Sequence, residues 1–326
     1  MTLDLRIPWV EKYRPESFDD IVSQNIAINS LKTFIKKGDM PHMIFTGPAG
    51  TGKTSAALII AKEILKEENY YRDLLELNAS DTVRMDYVRS VIKDFVNQNM
   101  IIGKNSLKIV ILDEADNIPN QVQQALRRIM ERASTKVKFI LMCNYINRII
   151  DPIISRCAVF MFVNLPKEEI VERLKYIAKQ EKLSIPEDKS DLFFDTLFFI
   201  SAGDLRKAIN TLQMSVALDL LENLDVNEIL KVSGFMDQQT LEEFIEAFQA
   251  KDFKGARKIL SSIETFDSRN LIRQLIGILP RINLQLNDLN ILLAFFGDID
   301  YKISQGADEQ IQILALVAEI INQVNK

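Results

Sequence analysis

The chain carries two hydrophobic rhythms before residue 166 and only one after it. Short apolar runs stand at 43–46, 73–78, 107–112, 137–144 and 158–162. The run Leu107-Lys108-Ile109-Val110-Ile111-Leu112 is almost continuously apolar, as a strand buried on both faces must be. Between these runs lie stretches with helical spacing, at about 24–37, 55–64, 82–97 and 120–132. Strands alternating with helices predict an α/β fold built on a parallel five-stranded sheet. From Pro166 the strand rhythm stops. Helices are expected over 167–182, 187–200, 204–219 and 227–232, with breaks at Pro186 and Gly203. Residues 234–326 predict about five more, with breaks near Lys251-Asp252, Phe266-Asp267, Asn287-Asp288 and Gly306-Ala307. The segment Ile7-Pro8-Trp9-Val10-Glu11-Lys12-Tyr13-Arg14-Pro15 reads as an extended arm, because two prolines disfavour helix. Its Trp9 and Tyr13 either stack on a base or pin the arm to the core, and the residues alone favour pinning.

At 326 residues the chain exceeds one ordinary core, so two or three domains are expected. No apolar run reaches the roughly 18 residues of a membrane span, and Met1–Arg6 has no signal-peptide core. Cys143, Cys157 and the single histidine, His42, are too few for a structural zinc site of four Cys/His ligands. Two cysteines in so long a chain predict a reducing compartment, the cytoplasm. A Ser-His-Asp hydrolase could be built only on His42, and no nucleophile elbow accompanies it. The net charge of −5 is unevenly spread. Residues 1–165 hold 22 basic and 19 acidic side chains, whereas 166–326 hold 18 and 26. A nucleic-acid contact therefore belongs to the first half, and the acidic second half suits protein partners.

The strongest chemical signal is Gly47-Pro48-Ala49-Gly50-Thr51-Gly52-Lys53-Thr54, which fits the phosphate-loop pattern G-x-x-x-x-G-K-[ST]. An apolar run precedes it and an Ala-rich helical stretch follows, the strand–loop–helix context that a phosphate cradle needs. Backbone N–H groups and the helix N-terminus would face the phosphates. Lys53 would reach the β- and γ-phosphates, and Thr54 would hold Mg²⁺. The third apolar run ends in Asp113-Glu114-Ala115-Asp116. There Asp113 can bind Mg²⁺ and Glu114 can polarise an attacking water. The group Met100-Ile101-Ile102-Gly103 is either a core-facing hinge or an exposed contact patch.

Beyond these, the chain carries Glu11-Lys12-Tyr13-Arg14-Pro15, Leu77-Asn78-Ala79-Ser80-Asp81, Gln124-Ala125-Leu126-Arg127-Arg128 and Cys143-Asn144-Tyr145-Ile146. Ser155-Arg156-Cys157 and Gly203-Asp204-Leu205-Arg206-Lys207-Ala208 follow. In this order, over nearly the whole chain, they resemble the small-subunit family of replication factor C, the sliding-clamp loader of archaea and eukaryotes. The resemblance implies an AAA+ ATPase core over 1–165, a small helical lid over 166–233 and an all-helical collar over 234–326 that joins subunits into a ring. It implies ATP and Mg²⁺ as cofactors. Its partners would be large and small loader subunits in a pentamer, a sliding clamp of the PCNA type, and primer–template DNA. Asn144 matches the sensor of the γ-phosphate, and Arg206 the lid arginine that closes on the phosphates. Tyr13, Arg14, Ile21 and Val22 match the adenine pocket. Arg156 matches the arginine finger acting on a neighbour's ATP. The same resemblance offers Arg84, Arg89 and Arg148 as contacts to the DNA backbone, although each is also an ordinary solvated arginine. It tips Met100, Ile101 and Ile102 toward a clamp contact.

Two departures bear on DNA. Where the family has Glu-Arg-Gly-Ile after Asn-Ala-Ser-Asp, this chain has Thr82-Val83-Arg84-Met85. Where a Met-Thr pair is common, Ile118-Pro119 offers neither hydroxyl nor N–H. Ala49 replaces a common second proline without consequence. A catalytically passive subunit of the same ring is the nearest alternative. A branch-migration or helicase-loading motor is disfavoured by the acidic C-terminal helices, which lack a winged-helix pattern. Phe295-Phe296 is expected in the collar core, not in a clamp-binding box. The departures imply a subunit that grips DNA less tightly than a typical one, a specialised second small subunit. Rings with and without it should therefore differ in the salt dependence of DNA affinity; equal salt slopes would contradict this.

Overall fold

The computed structural model describes residues 6–38, 40–65, 70–79, 90–97, 107–221, 224–263 and 267–324. Two compact units divide the chain, one of residues 1–183 with 201–213 and the other of 184–200 with 214–326.

The first unit is built on five parallel strands: β1 (His42–Thr46), β2 (Leu74–Asn78), β3 (Lys108–Asp113), β4 (Val137–Cys143) and β5 (Cys157–Met161). They lie in the order β2-β3-β4-β1-β5, as expected for a parallel sheet. Every strand therefore ends at the same edge, so the loops after β1, β3 and β4 emerge side by side. In the register, Thr46 stands beside Cys143, and Leu112 beside Leu141. The three inner strands are almost wholly buried, while edge strand β5 exposes Val159 and Met161. That burial explains the continuous apolar runs of β1, β3 and β4.

Alternation along each strand supplies two cores. Met43, Phe45, Ile109, Ile111 and Ile140 pack with helices α2 (Asn25–Lys37) and α3 (Lys53–Ile64). Ile44, Val110, Leu112, Phe139 and Leu141 form the other core. It also takes in Leu126 and Met130 of the later helix α6 (Asn120–Ala133). Helix α2 stops at Gly38, whose φ of +67° caps its C-terminus.

Two local expectations are corrected. The N-terminal arm is not extended throughout, because Trp9–Lys12 form a helical turn, α1. Pro8 stands just before it, at the N-cap, where a missing N–H removes no helical bond. Trp9 is fully buried, and its backbone N–H donates to Gln213 Oε1 at 2.8 Å, so the arm is pinned. Strand β2 begins at Leu74 because Tyr70–Asp73 make a helical turn, α4, ahead of it. Of the stretch predicted as helix over 82–97, residues 90–97 are described and are helical, α5. Further along unit 1 come α7 (Asp151–Ile154) and α8 (Lys167–Gln180).

Unit 2 is helical among its described residues. It contains α9 (Glu187–Ser201) up to Ile200 and the end of α10 (Leu205–Ala217), the remainder of α10 belonging to unit 1. The rest comprises α11 (Val226–Val232), α12 (Gln238–Gln249), α13 (Phe253–Ser262), α14 (Ser268–Ile278), α15 (Leu286–Ser304) and α16 (Glu309–Gln323). Asp225, Asp237, Asp252, Asp267 and Asp308 each cap one helix by accepting a first-turn backbone N–H. Each such cap is worth about 1 kcal/mol, so part of the acidic excess of this half is structural. Phe244, Phe248, Leu275, Phe296 and Leu316 are in its core, as expected for Phe296. Buried Gln274 pins Met236 from both sides, accepting its N–H at 2.9 Å and donating to its carbonyl at 2.8 Å. The break expected at Asn287-Asp288 lies earlier, at 279–285. Pro280 sits there in a 3₁₀ turn, whereas Asp288 falls inside the first turn of α15, where a carboxylate suits the helix dipole.

His42, buried at the start of β1, accepts the Phe139 N–H through Nδ1 at 3.2 Å. Burial, helped by Lys138, pushes its pKa from the ordinary 6.5 down to about 4. The unfolded chain therefore binds this proton at a higher pH than the folded one. The contribution is complete above about pH 6.5 and is lost as pH falls toward 4, at up to about 1.4 kcal/mol per pH unit. Denaturant titrations at pH 7 and pH 5 should show a smaller loss for His42→Gln than for the parent. Equal losses would contradict this assignment.

Candidate active site

The loop Gly47–Thr54 joins β1 to α3 and curls around the lysine at its end. Lys53 is buried, and its Nζ donates to the carbonyls of Gly47 at 2.6 Å and Pro48 at 2.7 Å and to Asn144 Oδ1 at 3.0 Å. Burial lowers its pKa, while the neighbouring Asp113 carboxylate pulls the other way. The curl depends on glycine at two points. A Cβ at Gly47, where φ is +142°, would stand 1.9 Å from the Phe162 carbonyl oxygen. One at Gly50, where φ is +70°, would stand 1.8 Å from Asp204 Oδ1. Behind the loop, α3 buries Ala56, Ala57, Ile60 and Ala61, which brings the helix close against the sheet.

The ends of β3 and β4 complete this edge. Asp113 accepts from Thr54 Oγ1 at 3.2 Å through Oδ2, and from the Glu114 N–H at 2.8 Å through Oδ1. Glu114 has a left-handed backbone, φ +53°, and its Oε2 accepts from Asn117 Nδ2 at 3.1 Å. Asp116 Oδ2 accepts the N–H groups of Asn144 and Tyr145, both at 3.1 Å. Buried Gln123 adds a second tie. It donates to the carbonyls of Ile118 at 2.8 Å and Arg148 at 2.9 Å and accepts the Ile150 N–H at 2.9 Å. Asp116 and Gln123 thus fasten the loop after β3 to the loop after β4. Burial raises the thiol pKa of Cys143 at the end of β4, and pushes that of Cys157 up to about 12.

One pocket gathers most of the expected residues. Its wall contains Tyr13, Arg14, Ile21, Val22, Ala49, Gly50, Thr51, Gly52, Lys53, Thr54, Asp113, Glu114, Asn144 and Arg206. Gly47 and Pro48 serve it through the carbonyls that hold Lys53. Sequence reasoning missed Asp20, Leu165, Arg173, Leu205 and Ile209 in the same wall. Arg173 lies in an amphipathic helix with no motif around it, so only the fold reveals it. Arg156 is not in this wall. It bonds the Pro152 carbonyl at 2.7 Å and pairs with Glu131 at 2.7 Å, with 40% of its side chain exposed. Arg148 is exposed over the Tyr145 ring, 5.1 Å from its centroid, and borders a separate groove with Asn120 and Asn147. Arg84, Arg89, Met100, Ile101 and Ile102 lie outside the described residues. Among the described residues there is no cluster of three or more His, Cys, Asp or Glu able to hold a metal, and no helix long and apolar enough to cross a membrane.

Comparison with known proteins agrees with this geometry. Residues 43–165 match the family model of the ATPase family associated with various cellular activities (AAA), and residues 236–319 match the replication factor C C-terminal domain. The replication factor C small subunit 1 of Pyrobaculum islandicum is 41% identical, over 96% of this chain and 93% of its own. The small subunit of Sulfurisphaera tokodaii is 41% identical, over 98% and 97%, and that of Saccharolobus solfataricus 40%, over 98% and 96%. The chain belongs to the replication factor C small-subunit family. As a member of that family it is an AAA ATPase that binds nucleotide and serves as a clamp-loader subunit in DNA replication. Among solved structures it resembles the Thermotoga maritima RuvB Holliday junction branch migration motor. The TM-score is 0.53 at 17% identity, over 72% of this chain and 79% of that one. This likeness shows a common fold, and the replication factor C C-terminal domain separates the chain from a branch-migration motor.

Proposed function

We propose that the pocket at the edge of the first unit binds ATP with Mg²⁺, and that hydrolysis there waits for a neighbouring subunit. The observation that carries this is the division of the polar and charged groups. Lys53, Thr54, Asp113, Glu114, Asn144 and Arg206 face one pocket, whereas Arg156 is held by Glu131 and Pro152 away from its wall.

Each residue has a distinct task. Lys53 exchanges its carbonyl partners for phosphate oxygens, and the loop N–H groups receive the rest of the negative charge. Thr54 and Asp113 suit Mg²⁺, being a hydroxyl and a carboxylate 3.2 Å apart, hard oxygen donors of the kind that ion takes. The ion, when bound, neutralises charge on the phosphates. Glu114 accepts a proton from the attacking water, or orients it, once it is free of Asn117. Asn144 reports the terminal phosphate to the β4 loop, and Arg206 closes on the phosphates from α10. Tyr13, Arg14, Ile21 and Val22 enclose the base. Arg156 acts on the ATP of the next subunit in the ring.

The finer partners follow from the same reading. The ring is a pentamer of large and small subunits, with the three parts 1–165, 166–233 and 234–326 serving as core, lid and collar. Met100, Ile101 and Ile102 meet a PCNA-type clamp, and Arg84, Arg89 and Arg148 meet the primer–template backbone. Those contacts position the duplex without reading its sequence, and Pro119 and the displaced Arg84 weaken them. The complex works in the cytoplasm of an archaeal-type cell, and this chain itself holds no zinc.

In the assembled complex, Glu114→Gln should retain ATP binding and lose turnover about 100-fold or more. Arg156→Ala should lose about 1,000-fold while its own subunit still binds ATP. Turnover unchanged by both would make this a passive position in the ring.

A further inference from the structure

Helix α8 and the residue that ends it hold Tyr13, at the base end of the nucleotide pocket, through side chains outside the motifs named above. Arg173 and Tyr176 stand one turn apart on it, and Glu181 caps its C-terminus. The Glu181 side chain is only 6% exposed, yet it bears a carboxylate. Its Oε1 accepts from both the Tyr13 hydroxyl and Lys12 Nζ. Arg173 donates to the Tyr13 carbonyl at 3.1 Å. The Tyr176 ring meets the Tyr13 ring edge-on, with centroids 6.5 Å apart at 85°, and the Arg173 guanidinium lies 5.0 Å from the Tyr176 centroid. Tyr13 is thus held at its hydroxyl, its ring and its carbonyl, all by one helix. Tyr13 lines the nucleotide pocket, and so does Arg173.

Such a cluster is expensive unless it has a task. A carboxylate so little exposed is tolerable only when paired and hydrogen-bonded. Here one partner is Tyr13, which lines the base wall, and the other is its neighbour Lys12. Lys53 and the phosphate loop, by contrast, make their side-chain bonds to Gly47, Pro48, Asp113 and Asn144, and among the described residues none to α8. The two ends of the pocket are therefore fastened by different parts of the fold.

We infer that Glu181 and Arg173 are positioning residues for the base end of the nucleotide site, fixing Tyr13 as the wall against which the adenine ring packs. The inference rests on the reading of this pocket as the ATP site. The hydroxyl of Tyr13 is committed to Glu181, so the residue offers the base a ring face. Loosening that anchor weakens recognition of the base and leaves recognition of the phosphates intact.

The test compares two probes on the full chain: ATP, which uses both ends, and inorganic tripolyphosphate, which uses the phosphate end alone. Glu181→Ala should raise the Kd for ATP roughly tenfold and leave that for tripolyphosphate, and the binding stoichiometry, unchanged. Glu181→Gln, which keeps an acceptor for the Tyr13 hydroxyl, should recover most of the affinity. It also serves if the alanine variant fails to fold. Combining Glu181→Ala with Tyr13→Phe should weaken ATP no more than either change alone. Equal weakening of both probes, or of neither, would overturn the inference, as would additive effects of the two changes. Lys53→Ala should weaken both probes. If it weakens neither, the assignment of the pocket fails and the inference falls with it, a result distinct from failure of the Glu181 role alone.

Discussion

The Lys53 ammonium is the centre on which the first unit depends. It is buried, and a buried cation needs acceptors on every side. Two come from its own loop and one from Asn144 at the end of β4. This arrangement is possible only because β1 and β4 are hydrogen-bonded neighbours running the same way, so that their ends meet. With β3 next in line, Asp113 arrives beside Thr54. The order of strands is thus what brings a lysine, a hydroxyl, two carboxylates and an amide to one edge, as open α/β sheets do for their ligands. The same lysine explains why the loop cannot be altered freely. Gly47 must let the chain pass against the Phe162 carbonyl before the loop can turn its own carbonyls inward.

Around that centre, the structure spends its remaining polar groups on holding loops together. Asp116 grips two N–H groups of the β4 loop, and Gln123 grips three backbone groups across two loops. These ties link the carboxylates after β3 to Asn144 after β4. On the proposed reading, a change at the terminal phosphate would reach Asn144 first, and through it the segment that bears Arg148. The second unit shows a different economy, with aspartates at the starts of its helices and a continuous apolar core.

Much of this was legible in the residues. The apolar runs became the five strands, with ends moved by a residue or so, because parallel inner strands must be apolar throughout. The phosphate loop and the Asp113-Glu114 pair were legible because their chemistry tolerates few other residues. The breaks near Lys251-Asp252 and Phe266-Asp267 were legible, and there Asp252 and Asp267 cap the helices that follow. What stayed hidden depends on tertiary contact. The helical turn at Trp9 was obscured by prolines that flank it without interrupting it. Gln123 looked like any polar position on a surface helix, although it is buried. Glu181 and Arg173 carry no local signature, because their partners lie some 160 residues away in the chain.

The central claim is that this chain holds a nucleotide site that it cannot finish alone. Its own Arg156 is occupied elsewhere, so the chain by itself should be a poor ATPase however well it binds nucleotide. The most direct measurement is ATP turnover per subunit for the isolated chain and for the assembled complex, both at saturating ATP. A rise on assembly of about 1,000-fold is expected, the scale at which an arginine supplied in trans acts. An isolated chain that turns over ATP as fast as the complex would contradict it.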